Sequence, residues 1–435
     1  MTSPSGHLAN TLVRLEQQAS TRRLLLLAAL GCFVVAGVLL QIRLPQPDVE
    51  LYRRYGLATL RSRNHIALPL QYPAAAAAVF ALVALVTSVP RDYTVAFGLL
   101  MGSVLAVLLA VGTRLFEDHR WALRTLVYST AGTLAIVMGR YDLLPALAEV
   151  IAVGLAAKGR WGGAWAGAAV GAALKLFPAL LLPGFFLAEW RSSGRPPWRR
   201  VVAVLSAGAV VAGVQVVLAP GTVLSPILYE LHRGFEVESV AASLTLLAHP
   251  WGLGWNFGFG AWQVVGPYHS VIAAAVSIGQ LAGLLGVWVL AWRSRLSVPA
   301  VALAVLTVGI LGDRAFSPQY LIWLAPLWAL WSLRAGWLAA AALTTFLYPI
   351  SYRFAAWLPT IGVHVGLYPT VAVALVRNSV LIVASGLWLR KELATHQGSE
   401  PRDPPRAAIS GRSGRSEHGA DLPISTSLGV EGGTW

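Results

Sequence analysis

Long apolar stretches follow one another along this chain with only brief polar interruptions. Runs such as AAAAAVFALVALV (74–86) do not alternate polar and apolar residues, so they do not read as strands of a β-barrel, whose segments are short and alternating. A helix needs about 20 apolar residues to cross the hydrocarbon. In lipid, every backbone N–H and C=O must also find its partner within the segment. Helical spans are therefore expected near 24–42, 73–89, 93–111, 122–138, 143–157, 162–189, 200–219, 270–292, 297–312, 317–333, 336–350 and 369–388. Segment 162–189 carries Lys175 and Pro178 and reads equally as two half-helices. The expected fold class is all-α, a polytopic membrane protein with about 12 spans.

Composition agrees with that pattern. The chain has 435 residues, 56% of them hydrophobic and 12% charged, where a soluble domain carries about 25% charge. Its net charge of +14 gathers in short loops between apolar runs: RSSGRPPWRR (191–200), WRSR (292–295), SLR (332–334) and LRKE (389–392). That is the distribution of cytoplasmic loops in a membrane protein and argues against a nucleic-acid partner. The single cysteine, Cys32, excludes an intramolecular disulfide and any cysteine-based metal cluster.

The first apolar run lacks a small-residue cleavage site and reads as a signal anchor, with Arg14, Arg22 and Arg23 keeping the N-terminus in the cytoplasm. Residues 1–23 are then a cytoplasmic segment, 24–390 a membrane domain and 391–435 a disordered cytoplasmic tail of Gly, Ser, Pro and mixed charge. Counting spans puts 43–72, 220–269, 313–316 and 351–368 outside the plasma membrane. The stretch GTRLFEDHRWALR (112–124) also falls outside by this count, although its charge suits an inner loop.

The candidate chemistry lies mostly in the outer segments. PDVELY (47–52) places Asp48 and Glu50 directly after the first span, followed by Arg53 and Arg54. Taken alone, a D-x-E at a membrane edge is a solvated loop; here it is followed by Tyr72-Pro73 at the start of the next span. Lys175 is an ammonium within a span, which is a functional hypothesis by default because burial in lipid is costly. Arg140 and Asp142 read as an ion pair at a helix end. HRGFEVES (232–239) supplies Arg233 and Glu238 as substrate contacts, or is simply an amphipathic loop helix. Arg314 precedes FSPQYLIWLAPL (316–327), which contains Gln319 and Tyr320. His249, His269 and His364 have no ligand spacing, and Trp251, Trp255 and Trp262 read as interface residues or sugar-stacking platforms.

Four of these blocks, in this order, resemble a family. PDVELY, GRYDLLPALAEVIAVGLAAKGRWGGAWAGAAVGAALKLFPALLLP (139–183), HRGFEVES and FSPQY are similar to blocks of the C-type (GT-C) membrane glycosyltransferases. The nearest groups are the family-87 bacterial mannosyl- and arabinofuranosyltransferases, and there is a similarity to the eukaryotic mannosyltransferase of glycolipid-anchor synthesis. The resemblance spans roughly residues 24 to 390. It implies a polyprenyl-phosphate sugar donor and a glycolipid or glycan acceptor. It also implies a catalytic acid in the first outer loop, here Asp48 with Glu50. The substrate contacts it implies fall on Lys175, Arg314, Gln319, Tyr320, Arg233, Glu238, Arg53 and Tyr72. The second acid is Glu where the family commonly has Asp.

Such a transfer needs a base for the acceptor hydroxyl and charge compensation for the phosphate leaving group. One carboxylate acting as base implies inversion at the anomeric carbon. Two routes to charge compensation are open from the residues: a divalent cation held by the acidic pair, or bidentate guanidinium contacts without metal. No Walker loop and no G-x-G-x-x-G stretch occurs, so a nucleotide sugar is not the expected donor. Two other readings share the composition. One is a transporter or flippase of a lipid-linked sugar, which would favour paired broken helices at the midplane. The other is a ligase or polymerase of the O-antigen type.

Overall fold

The computed structural model describes residues 4–62, 71–293, 296–362 and 364–397, with no side-chain description for 4–20, 22, 396 and 397. Residues up to Gln397 form one compact unit. The expected tail from 398 onward, the loop 63–70 and the side chains of Arg14 and Arg22 lie outside the described residues.

Helix α1 (Pro4–Arg43) stops where Pro45 and Pro47 follow, since the residue before a proline is pushed out of the helical region. Helix α2 (Pro47–Arg61) restarts at once, with Pro47 in its first turn and Asp48 and Glu50 beside its positive end. The segment expected to be a loop after the first span is thus largely an amphipathic helix. It packs on α3 (Ala74–Val86) through Gly56, where a Cβ would come 2.4 Å from the carbonyl oxygen of Phe80. Helix α4 (Pro90–Phe116) follows as a long apolar helix.

The middle of the chain is broken. Helix α5 (Trp121–Gly132) ends early, and residues 133–142 pass through turns and a short 3₁₀ segment (Val137–Gly139). This irregular passage is buried: Ile136, Val137, Met138 and Tyr141 are at most 4% exposed. Non-helical backbone at membrane depth is tolerated when it is enclosed by protein. Helices α6 (Leu143–Ala157) and α7 (Trp161–Leu174) form a tight pair. As the sequence allowed, 162–189 is split. Lys175 is extended, a 3₁₀ turn covers Phe177–Leu180, and α8 (Leu181–Ser193) completes the passage. Pro178 cannot continue an interior helix because it lacks the N–H and its ring clashes with the preceding turn. In helix α9 (Trp198–Leu218) only Gln215 is buried, Val201 and Val204 pack against the core, and most of the other apolar side chains face outward, as in a lipid-facing helix.

Between α9 and α12 the segment expected to lie outside the membrane folds into a small layer of its own, the outer layer. It contains α10 (Ser225–His232), strand β1 (Phe235–Glu236), α11 (Val240–Ala248), and the hairpin β2 (Gly254–Gly258) and β3 (Ala261–Val265). The sheet order is β1-β3-β2, all antiparallel, with Phe235 opposite Val264 and Asn256 opposite Gln263. FE within HRGFEVES is therefore a strand rather than part of a loop helix. Phe235, Val237, Ala241 and Val264 form a separate core with Ile272 and Val371. Then come α12 (His269–Arg293), α13 (Val298–Leu311), α14 (Leu321–Trp328), α15 (Ala335–Thr345), α16 (Tyr352–Trp357) and α17 (Tyr368–Gln397). Helix α17 runs through the start of the expected tail.

Among the described residues the fold is all-α in character, 77% helical with 3% strand. The expected count of spans is not reproduced. Among the described residues, 5 helices are long and apolar enough to cross a membrane: Arg23–Arg43, Pro90–Phe116, Trp198–Leu218, His269–Arg293 and Tyr368–Thr395. Ala74–Val86, Leu143–Ala157 and Val298–Leu311 are shorter apolar helices. The remaining apolar runs are cut by Pro or by buried turns, which an average over a hydropathy window does not register.

Candidate active site

Residues from α2, the 133–142 passage, the α7–α8 break and the outer layer meet on one side of the main core. Asp48 lies in the first turn of α2, and its Oδ2 is 2.7 Å from Nη1 of Arg140. Arg140 is presented by the buried 3₁₀ turn, which is pressed against the α1–α2 corner. Gln46 Nε2 donates to the carbonyl of Ala135 at 2.9 Å, and a Cβ on Gly139 would come 2.9 Å from Gln46 Oε1. The sequence expectation of an Arg140–Asp142 pair is not met. Asp142, 1% exposed, instead accepts from Lys175 Nζ at 2.7 Å.

Aromatic rings wall the two ion pairs. Tyr52 stacks on Phe80 at 4.3 Å and meets Tyr72 and Tyr141 edge-on, each at 5.8 Å. Tyr72 and Tyr141 are 5.3 Å apart. Lys175 Nζ sits 4.8 Å from the ring centre of Trp323, 5.4 Å from Tyr141 and 5.5 Å from Tyr320. Ring faces attract a cation, so this ammonium is held by one carboxylate and three rings.

Glu50 goes elsewhere. Two residues apart on a helix is more than half a turn around it, so its carboxylate points away from Asp48. It takes a bidentate pair of hydrogen bonds from Arg53, both 2.7 Å, and one from Arg54 at 2.9 Å. The Arg53 guanidinium holds this carboxyl down at about 2. Arg53 also donates to the carbonyl of Ser88 at 2.9 Å, tying α2 to the α3–α4 corner. The two acids thus do not form one ligand set. Among the described residues, no group of three or more His, Cys, Asp or Glu is arranged to hold a metal ion.

The outer layer supplies the remaining charges. Arg233 lies 3.4 Å from Glu236 and 3.5 Å from Glu230. Arg314 uses its guanidinium on the carbonyls of Leu231, at 3.0 Å, and Arg233, at 3.2 Å, while its own carbonyl accepts from Glu236 N. It therefore staples the outer layer to the end of α13. Glu238 is 2% exposed. Burial, then the neighbouring Glu236 charge, pushes its carboxyl up to about 8. Burial and the Glu230 charge likewise raise Asp313 to about 7. Gln319 has a buried Oε1 without a hydrogen-bond partner, and Tyr320 stacks on Trp323 at 4.7 Å. The field of Asp48 reaches Tyr229 and Tyr348, and that of Arg140 reaches Glu236 and Glu238. The outer layer and the α2 edge therefore border one polar region.

Several residues here escaped the sequence reading. Arg377 of α17 is fully buried, donates to the carbonyls of Glu238 (2.6 Å) and Phe316 (3.2 Å), and stacks on the Phe316 ring at 3.7 Å. Its signal was available, since an arginine inside an apolar run is as unusual as Lys175. Asn378 donates to the Glu238 carbonyl as well. Tyr141 and Asp142 gave no local signal of their role, because Lys175 lies a helical hairpin away in sequence.

The model of glycosyltransferase family 87 matches residues 70–318, more than half of the chain. The chain belongs to glycosyltransferase family 87. No curated protein matches it. As a family-87 member the protein is a glycosyltransferase, and its apolar helices make it a membrane protein. A sugar donor and an acceptor are its substrates. The matched stretch contains Tyr72, Arg140, Lys175, Arg233, Glu238 and Arg314. Asp48 and Glu50 precede it, and Gln319 and Tyr320 follow it.

Proposed function

We propose that this family-87 protein transfers a glycosyl residue, mannose or arabinofuranose, with inversion from a polyprenyl-phosphate donor to a cell-envelope glycolipid or polysaccharide. The observation that supports it most is the convergence of Asp48, Arg140, Asp142 and Lys175 beside a cluster of aromatic rings. A carboxylate paired with a part-buried guanidinium, with a part-buried ammonium nearby, suits a base beside a phosphate. In the reaction, the acceptor hydroxyl oxygen forms a bond to C1 while Asp48 takes its proton. The C1–O bond to phosphate breaks on the opposite face, and its electron pair leaves on the phosphate. Lys175 and Arg140 compensate that charge, the guanidinium with bidentate geometry. Tyr72, Gln319 and Tyr320 line the sugar side. Arg233, Arg314 and Glu238 shape the outer wall, and Arg53 with Glu50 orients α2. With Glu50 fully engaged, the metal-free route is the one that this arrangement favours.

The reading is tested by supplying purified protein with polyprenyl-phosphomannose, polyprenyl-phosphoarabinofuranose or GDP-mannose and following sugar transfer to envelope glycolipid by mass spectrometry. Transfer is expected from one of the lipid-linked donors. Transfer from the nucleotide sugar alone would remove the lipid-phosphate chemistry.

The site is also expected on the outer face, since the arginine-rich loops lie at the opposite ends of the helices. A cysteine replacing Pro47 in a Cys32→Ala background should react with an impermeant maleimide in intact spheroplasts. One replacing Pro197 should react only after permeabilisation. The reverse labelling would place the site in the cytoplasm.

A further inference from the structure

Both part-buried cations of the site are engaged by the protein's own carboxylates. Arg140 holds Asp48 and Lys175 holds Asp142, each at 2.7 Å. The two pairs share a frame, because Arg140, Tyr141 and Asp142 are consecutive and the Tyr141 ring lies against Lys175 Nζ. Neither pair is saturated. Arg140 Nε and Asp142 Oδ2 are buried with no hydrogen-bond partner. A buried donor left unmade is costly, and here the unmade donor lies on a guanidinium whose geometry matches a phosphate. Arg140 also engages Oδ2 of Asp48, so the lone pairs of that oxygen facing the guanidinium are not free for an acceptor hydroxyl.

We propose that Arg140 and Lys175 are exchange cations: the donor phosphate displaces Asp48 from Arg140 and Asp142 from Lys175, and in doing so releases Asp48 to act as base. This rests on the transfer reading above. It adds an order to the reaction, since proton abstraction becomes competent only after the donor is seated. It also assigns Asp142 a role as a positioning residue that holds Lys175 until the donor arrives and competes with the phosphate.

Competition gives the proposal a signature that a structural ion pair lacks. The probe is farnesyl phosphate, a short polyprenyl phosphate without sugar, titrated calorimetrically into the purified full chain. Lys175→Met and Arg140→Met should each weaken binding. Asp142→Asn and Asp48→Asn should each tighten it, roughly threefold or more, because each removes a competitor for a cation. The gain from Asp142→Asn should vanish in a Lys175→Met background, and that from Asp48→Asn in an Arg140→Met background. Unchanged or weaker binding in the asparagine variants overturns the proposal. So does an equal gain in the methionine backgrounds, which would reflect only the loss of a nearby negative charge. Where Asp142→Asn does not fold, the Asp48–Arg140 arm decides alone. Transfer by Asp48→Asn is read separately: if it persists, the transfer reading fails whatever the binding shows.

Discussion

Replacing Asp48 by Asn is expected to reduce sugar transfer about a hundredfold or more, the usual scale for losing a positioned general base. The substitution keeps volume and leaves a hydrogen-bonding group toward Arg140, so the α2 corner should remain in place. The effect should fall on kcat rather than on protein yield or on the helical signal in circular dichroism. Glu50→Gln is the comparison. Its carboxylate is bound by Arg53 and Arg54 at the half-exposed face of α2, where ion pairs contribute about 1 kcal/mol or less. It should retain most of its activity. A purified Asp48→Asn protein with near-normal transfer, or a Glu50→Gln protein as inactive as Asp48→Asn, would move the base away from Asp48.

Arg377→Leu is expected to destabilise the outer layer by about 3–5 kcal/mol, the cost of breaking a buried ionic arrangement by removing one side of it. The guanidinium is enclosed, caps the Glu238 and Phe316 carbonyls and sits in the field of the Glu236 and Glu238 carboxyls. Leucine leaves the Phe316 carbonyl without this donor, leaves the Glu238 carbonyl to Asn378 alone, and removes one of the positive charges that face the Glu236 and Glu238 carboxyls. The measurement is thermal unfolding in detergent together with limited proteolysis of the 220–268 segment, which should be cleaved faster in the variant. Arg54→Ala, an exposed i,i+4 pair, should change neither. Equal protease resistance for Arg377→Leu and the parent chain would show that the layer holds without this clamp.

The sequence by itself determined the class of protein. Apolar runs in a low-charge chain can satisfy their backbone only as helices. Lys175 was legible because an ammonium among apolar residues demands a compensating partner. So was the break at Pro178, because proline's effect on a helix is local. The number of full-length spans was not legible: whether an apolar run crosses or turns depends on what encloses it. Thus 122–138 became a short helix and a buried irregular passage, because neighbouring helices cover its backbone. Charge pairing was likewise a tertiary decision. Proximity in sequence suggested Arg140 with Asp142, and Asp48 with Glu50. The helical twist of α2 separates the two acids, and the α6–α7 hairpin brings Lys175 to Asp142, which leaves Arg140 for Asp48. An ion pair forms where side chains meet in space, and a helix turns neighbours two apart to different sides.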